Sequence, residues 1–135
     1  MQQSCSDPRR APTPCNILVV EDEVLIRLLI VDILVEAGFK VIQAASADEA
    51  LKVLQSSVEV DLVMTDIRMP GSLDGVELVS RVRANWPTLR IVIVSSDASS
   101  LRPDLPADAV IAKPFSPTEI VDRVKQLLGF QDDQT

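Results

Sequence analysis

Five side chains in this sequence are of types that could do chemistry together: the adjacent acids Glu21 and Asp22, then Asp66, Ser95 and Lys113. Each closes or closely follows a short apolar run: Ile17-Leu18-Val19-Val20, Leu62-Val63-Met64, Ile91-Val92-Ile93-Val94 and Ala109-Val110-Ile111. Three carboxylates gathered in one place repel, and the ordinary remedies are a raised pKa or a bound cation. Hard oxygen donors without nitrogen or sulfur favour Mg²⁺ or Mn²⁺, which keep several waters and accept phosphate oxygens. A lysine offers phosphate a point charge, and a serine hydroxyl can donate to another of its oxygens. Together such groups would stabilise charge on a transferring phosphoryl group, for which an aspartate is a competent nucleophile. Asp66, between the acid pair and Lys113, is the candidate nucleophile.

The elements that must position these residues are of two kinds. The apolar runs, with Val41-Ile42 as a fifth, are nearly continuous rather than alternating, which predicts strands buried on both faces of a parallel sheet. Between them lie helical signals. Glu23–Ala37 places Ile26, Leu29, Ile30, Ile33, Leu34 and Ala37 on one stripe and stops at Gly38. Capping boxes open helices at Ser46-Ala-Asp-Glu49 and Ser116-Pro117-Thr-Glu119, and Asp74 opens another that ends before Pro87. The alternation predicts a doubly wound α/β sheet with helices on both faces, its site at the carboxyl ends of the strands. The crossover between Ser96 and Ala109 holds Pro103 and Pro106, which leaves room for little more than one helical turn.

Composition narrows the alternatives. The 135 residues make one domain, 16–129, flanked by a disordered Pro-containing tail at 1–15 and a frayed end at 130–135. A net charge of −7 argues against a nucleic-acid binder and against an anionic membrane surface. No histidine is present, which removes histidine-based catalysis and imidazole metal ligands. The four glycines form neither a dinucleotide nor a P-loop fingerprint. No apolar run is long enough to cross a bilayer and no signal peptide is readable, so a cytoplasmic location is expected. Cys5 and Cys15 read as free thiols in the tail.

VVEDE at 19–23, TDIRMPGSLDG at 65–75, VSS at 94–96 and AKPF at 112–115 together resemble the bacterial response-regulator receiver domain over about residues 16–129. The resemblance implies a flavodoxin-like five-stranded parallel sheet of order 2-1-3-4-5, with Asp66 as phosphoacceptor. It implies a Mg²⁺ or Mn²⁺ ion held by Glu21, Asp22, Asp66 and the backbone carbonyl of Arg68, with Ser95 as switch hydroxyl, Lys113 on the phosphate, and a cis Lys113–Pro114 bond. It also implies a phosphoryl donor, either a histidine kinase or a histidine phosphotransfer protein. The expected protein is not an enzyme beyond catalysing its own phosphorylation and dephosphorylation. No output module is readable after Gly129, so signalling by protein contact or onward relay is expected, by a monomer or weak dimer.

Three departures from the family pattern stand out. Val110 replaces the aromatic usual three residues before the lysine, the fourth helix must be short or irregular, and the loop from Asp66 to Gly75 is one residue longer than usual. Leu25, Leu28, Val31 and Val35 form a second apolar face on the first helix, either scattered surface aliphatics or a docking patch for the phosphoryl donor. Arg68 and Asp97 either sit in solvent or pair across the site mouth and hinder hydrolytic water. Trp86 reads as packing. Two other functions compete: a carboxylate-metal phosphohydrolase, which would carry an aspartate where Arg68 stands, and a degenerate receiver that binds without phosphorylation.

Overall fold

The computed structural model describes residues 15–67, 75–96 and 106–129. The strands are β1 (Asn16–Val20), β2 (Lys40–Ala44), β3 (Leu62–Asp66), β4 (Arg90–Ser95) and β5 (Ala109–Ala112). The helices are α1 (Val24–Glu36), α2 (Ala47–Gln55), α3 (Gly75–Asn85) and α4 (Pro117–Leu127). All strand pairs are parallel, in the order β2-β1-β3-β4-β5. This is the doubly wound α/β sheet that the apolar runs predict.

The central strands are apolar throughout because each face has its own helical cover. Leu18, Val20, Val63, Ile91 and Ile93 point to one side and pack with Leu51 and Leu54 of α2 and Leu78, Val79 and Val82 of α3. Ile17, Val19, Leu62, Met64, Val92 and Val94 point to the other and pack with Ile30, Ile33 and Leu34 of α1 and Ile120 and Val124 of α4. Trp86 packs against the first of these cores.

Helix ends follow the sequence signals. Ser116 Oγ accepts from Glu119 N at 3.1 Å and Ser116 N donates to the Glu119 carboxylate at 3.0 Å, a complete capping box. At Ser46 the serine half forms, but the Glu49 carboxylate takes the N–H of Ala45 instead. α1 ends with Gly38 at φ 99°, its N–H donating to Val35 and that of Phe39 to Leu34, which satisfies two terminal carbonyls. The cap expected at Asp74 and the crossover segment 97–105, where the short fourth helix is expected, lie outside the described residues.

Two expectations need correction. Leu29, placed on the buried stripe of α1, is 51% exposed, while Ile26 and Ala37 are only half-buried. α1 is apolar nearly all round, so periodicity alone did not single out the stripe that meets the sheet. Cys15 is neither tail nor free thiol. It is buried among Phe39, Leu34 and Leu128, its carbonyl extends the β1–β2 ladder by accepting from Lys40 N at 2.9 Å, and it is disulfide-bonded.

The start of β5, which aims Lys113, is clamped from a distance. Asp108 Oδ2 accepts from Arg83 Nη2 and from Ile91 N, both at 2.8 Å, and Asp108 N donates to the Ile91 carbonyl at 2.8 Å. Arg83 also donates to the carbonyls of Pro87, Leu89 and Pro106. Asp108→Ala leaves the Ile91 N–H and the guanidinium short of an acceptor, and should cost about 1–3 kcal/mol in chemical denaturation. A change within experimental error would show that water replaces the carboxylate there.

Candidate functional site

The site is built at the carboxyl ends of β1, β3, β4 and β5. Glu21 and Asp22 follow β1 directly, Asp66 ends β3, Ser95 ends β4, and Lys113 follows β5. Because β1 and β3 are neighbours in register, their terminal acids meet. Carboxylate oxygens of Glu21, Asp22 and Asp66 lie within 4.8 Å of one another. Lys113 Nζ donates to Asp66 Oδ2 at 2.8 Å and to Glu21 Oε1 at 3.2 Å. Ser95 is buried at the rim of the same cluster, and its carbonyl accepts from Lys113 N at 2.9 Å, which fixes where the lysine leaves β5. The Lys113–Pro114 peptide bond is cis, as the resemblance implies.

The three acids differ in environment. Glu21 is 2% exposed, and both its carboxylate oxygens are engaged, Oε1 by Lys113 and Oε2 by the N–H of Glu23 at 3.2 Å. Asp66 is mostly buried beside Lys113, and Asp22 is exposed. Burial pushes the Glu21 carboxyl above its ordinary value, with the Asp66 charge adding to it against the Glu23 N–H and Lys113. The raised direction means that folding loses stability as pH rises from the ordinary carboxyl range through the raised value. For Lys113, burial opposes the charge, but the hydrogen bond to Asp66 and the charges of Asp66 and Glu21 outweigh it and raise the pKa. Its contribution to stability is present below the ordinary lysine value and is lost only as pH rises through the raised one.

An all-oxygen donor set with one exposed and two buried carboxylates fits a hard divalent cation that keeps part of its water shell. The residues present therefore fit Mg²⁺ or Mn²⁺. Arg68, whose carbonyl was expected to join them, and Asp97 lie outside the described residues. Val110, at the position of the missing aromatic, is exposed on the edge strand β5. No helix among the described residues is long and apolar enough to cross a membrane.

Sequence reasoning passed over Gly75 as a site residue. Its N–H donates to the Ile67 carbonyl at 2.8 Å, so the start of α3 lies directly against the backbone that leaves Asp66. A Cβ there would overlap the Asp66 carbonyl oxygen and approach that of Ile67 to 2.7 Å. Its signals were its place at the end of the 65–75 motif and one residue after a predicted cap, and the latter reads equally as an ordinary helix start. Gly75→Ala should destabilise the fold by about 1–3 kcal/mol, since the obstacle is backbone rather than a side chain that can swing away. Unaltered stability in a denaturant titration would mean that the β3–α3 connection is free to move aside.

A family model for the response regulator receiver domain matches residues 17–125. Sporulation initiation phosphotransferase F of Bacillus subtilis is 33% identical over 87% of this chain and 97% of its own length. Sensor kinase CckA of Brucella abortus is 37% identical over 87% of this chain, which corresponds to only 13% of the kinase. The transcriptional regulatory protein ResD of B. subtilis is 37% identical, and the chain spans 48% of it. Among solved structures, a response regulator receiver protein from Sinorhizobium medicae superposes with a TM-score of 0.81 at 30% identity, over 88% of this chain and 98% of that one. Response regulator protein TrrA of Thermotoga maritima, in complex with Mg²⁺ and BeF, gives 0.77 at 35% identity, over 84% and 98% of the two chains.

Proposed function

The chain belongs to the response regulator receiver domain family, and from that premise we propose that it accepts a phosphoryl group on Asp66 in a two-component phosphorelay. The observation that carries this reading is the Lys113 ammonium 2.8 Å from Asp66 Oδ2, beside two further carboxylates within 4.8 Å. Asp66 Oδ attacks the phosphorus of a phosphohistidine; the O–P bond forms as the N–P bond breaks, and the electron pair returns to the donor's imidazole. Lys113 holds the nucleophile and carries positive charge to the equatorial oxygens, and the hydroxyl of Ser95, at the end of the neighbouring strand, is the proposed donor to another of them. Glu21, Asp22, Asp66 and the Arg68 carbonyl would hold Mg²⁺ or Mn²⁺, which supplies charge neutralisation at the transferring group. Nothing else is turned over, so the protein acts only on its own phosphorylation state.

The donor is a histidine kinase or a histidine phosphotransfer protein. Val24, Leu25, Leu28 and Leu29 of α1 are exposed, and Leu29 borders an apolar hollow of about 380 Å³ with Ile26, Lys113, Pro114 and Phe115. That apolar surface beside the phosphoacceptor is where we place the donor's docking face. Val31, assigned to the same face from sequence, is half-buried. The similarity to a sporulation phosphotransferase over 97% of its length supports onward relay or output by protein contact; a cytoplasmic location belongs to the same reading. The phosphohydrolase alternative is disfavoured by Arg68 in place of its acid/base aspartate.

Incubation with Mg²⁺ and acetyl phosphate should add one alkali-labile phosphoryl group to the intact mass. Asp66→Asn should add none while keeping a native circular-dichroism spectrum. Labelling of that variant to the extent of the wild type would overturn the assignment.

Mg²⁺ alone should raise the melting temperature, because a ligand bound only by the native state stabilises it, by about 2.7 kcal/mol at a hundredfold excess over Kd. Asp22→Ala should abolish that rise. A melting temperature insensitive to Mg²⁺ in the wild type would contradict a formed cation site.

A further inference from the structure

The turn from β1 to α1 carries both Glu21 and Asp22, and its backbone is pinned to the edge strand β2 twice. Glu21 N donates to the Ala44 carbonyl at 3.0 Å. The Glu21 carbonyl accepts from Arg27 Nη1 at 2.8 Å, and Arg27 Nε donates to Gln43 Oε1 at 3.0 Å. Gln43 and Ala44 are consecutive in β2, so one strand braces both peptide planes that flank Glu21, the first directly and the second through Arg27. Glu21 has its carboxylate tied down at both oxygens. Asp22 does not: its side chain is exposed and makes no hydrogen bond or ion pair among the described residues. The placement of the Asp22 carboxylate therefore depends on its backbone, and the Glu21–Asp22 peptide is the plane that Arg27 holds.

We propose that Arg27, buttressed by Gln43, is the positioning residue of the cation site. It holds the Glu21 carbonyl so that Asp22 is presented toward Glu21 and Asp66 before the ion arrives. This rests on the reading of the acid cluster as a Mg²⁺ site. Two effects of Arg27 on that ion have opposite signs, which makes the proposal testable. As a nearby positive charge Arg27 repels a divalent cation, so its removal by Coulomb's law alone would tighten binding. As a holder of the ligand-bearing turn it preorganises the site, so its removal would weaken binding.

Calorimetric titration of the whole chain with MgCl₂ at constant ionic strength separates them. Arg27→Ala should weaken Mg²⁺ about 10- to 100-fold, as loss of groups that orient metal ligands does. Arg27→Lys should recover part of the loss, since an ammonium keeps the charge and can reach one of the two acceptors but not span both. Gln43→Ala, on the exposed edge and touching no carboxylate, should weaken Mg²⁺ about threefold, the worth of one neutral-acceptor hydrogen bond. A purely structural Arg27 would lower the melting temperature in EDTA and leave the Mg²⁺ affinity unchanged. Equal or tighter binding by Arg27→Ala, with the wild type binding normally, overturns this proposal alone. If Arg27→Ala does not fold, an unchanged affinity in Gln43→Ala overturns it. Absence of Mg²⁺ binding by the wild type overturns the cation reading, and this inference with it.

Discussion

Three carboxylates within 4.8 Å would push each other and the strands beneath them apart, and Lys113 is the group that ties two of them, Glu21 and Asp66, together. Its side chain is only 13% exposed, and its ammonium bridges the acid of the β1 turn and the acid at the end of β3. At such burial the attraction is barely screened by salt, but removal of three charges from water is costly, so the cluster is not a device for stability. The rise in the Glu21 pKa is the sign of that cost, driven first by desolvation. A site arranged this way gains from any arriving species that replaces lost hydration with charge of the right sign, whether a cation among the carboxylates or an anion at the lysine.

The remainder of the fold can be understood as what holds that arrangement in place. Parallel pairing brings the ends of β1, β3, β4 and β5 to one edge, and helices on both faces bury the apolar central strands. Lys113 comes from the least covered of these strands, β5, at the sheet edge, and needs extra support. It gets this from the Ser95 carbonyl at one end of β5 and from the Arg83–Asp108–Ile91 clamp at the other. At the opposite edge β2 braces the acid turn. The two edge strands thus carry the positioning of the two halves of the charge cluster.

Much of this was legible in the sequence. The β-branched runs named every strand core, the parallel arrangement followed from their lack of alternation, and the acids, serine and lysine at their ends are the residues that meet. Ser46 and Ser116 announced their helices through side chains that bond within three or four residues, which is information local enough to read. What escaped notice was non-local. The Asp108 clamp joins positions 17 and 25 residues apart, the overlap that requires glycine at 75 comes from a neighbouring backbone, and Cys15 is buried in a core whose other members lie far along the chain. α1 failed for a different reason: with aliphatic residues on nearly every side, its pattern contains no polar face to say which way it turns.

That ambiguity of α1 has a physical counterpart at the site. A helix whose only task was to cover the sheet would place polar residues outward, yet α1 leaves Val24, Leu25, Leu28 and Leu29 in solvent around its first two turns, at the end that abuts the acid pair. Its C-terminal half supplies the buried contacts through Ile30, Ile33 and Leu34. The fully buried contacts of the helix thus lie in its C-terminal half, where Val35 is nonetheless exposed, and most of its exposed apolar side chains lie at the other end. Arg27 interrupts that apolar end with its guanidinium turned back onto the Glu21 carbonyl and Gln43. A partner that buries the leucines would also exclude water from around those hydrogen bonds and strengthen them. Docking on this proposed face would in this way be coupled to preorganisation of the acid turn through one helical turn.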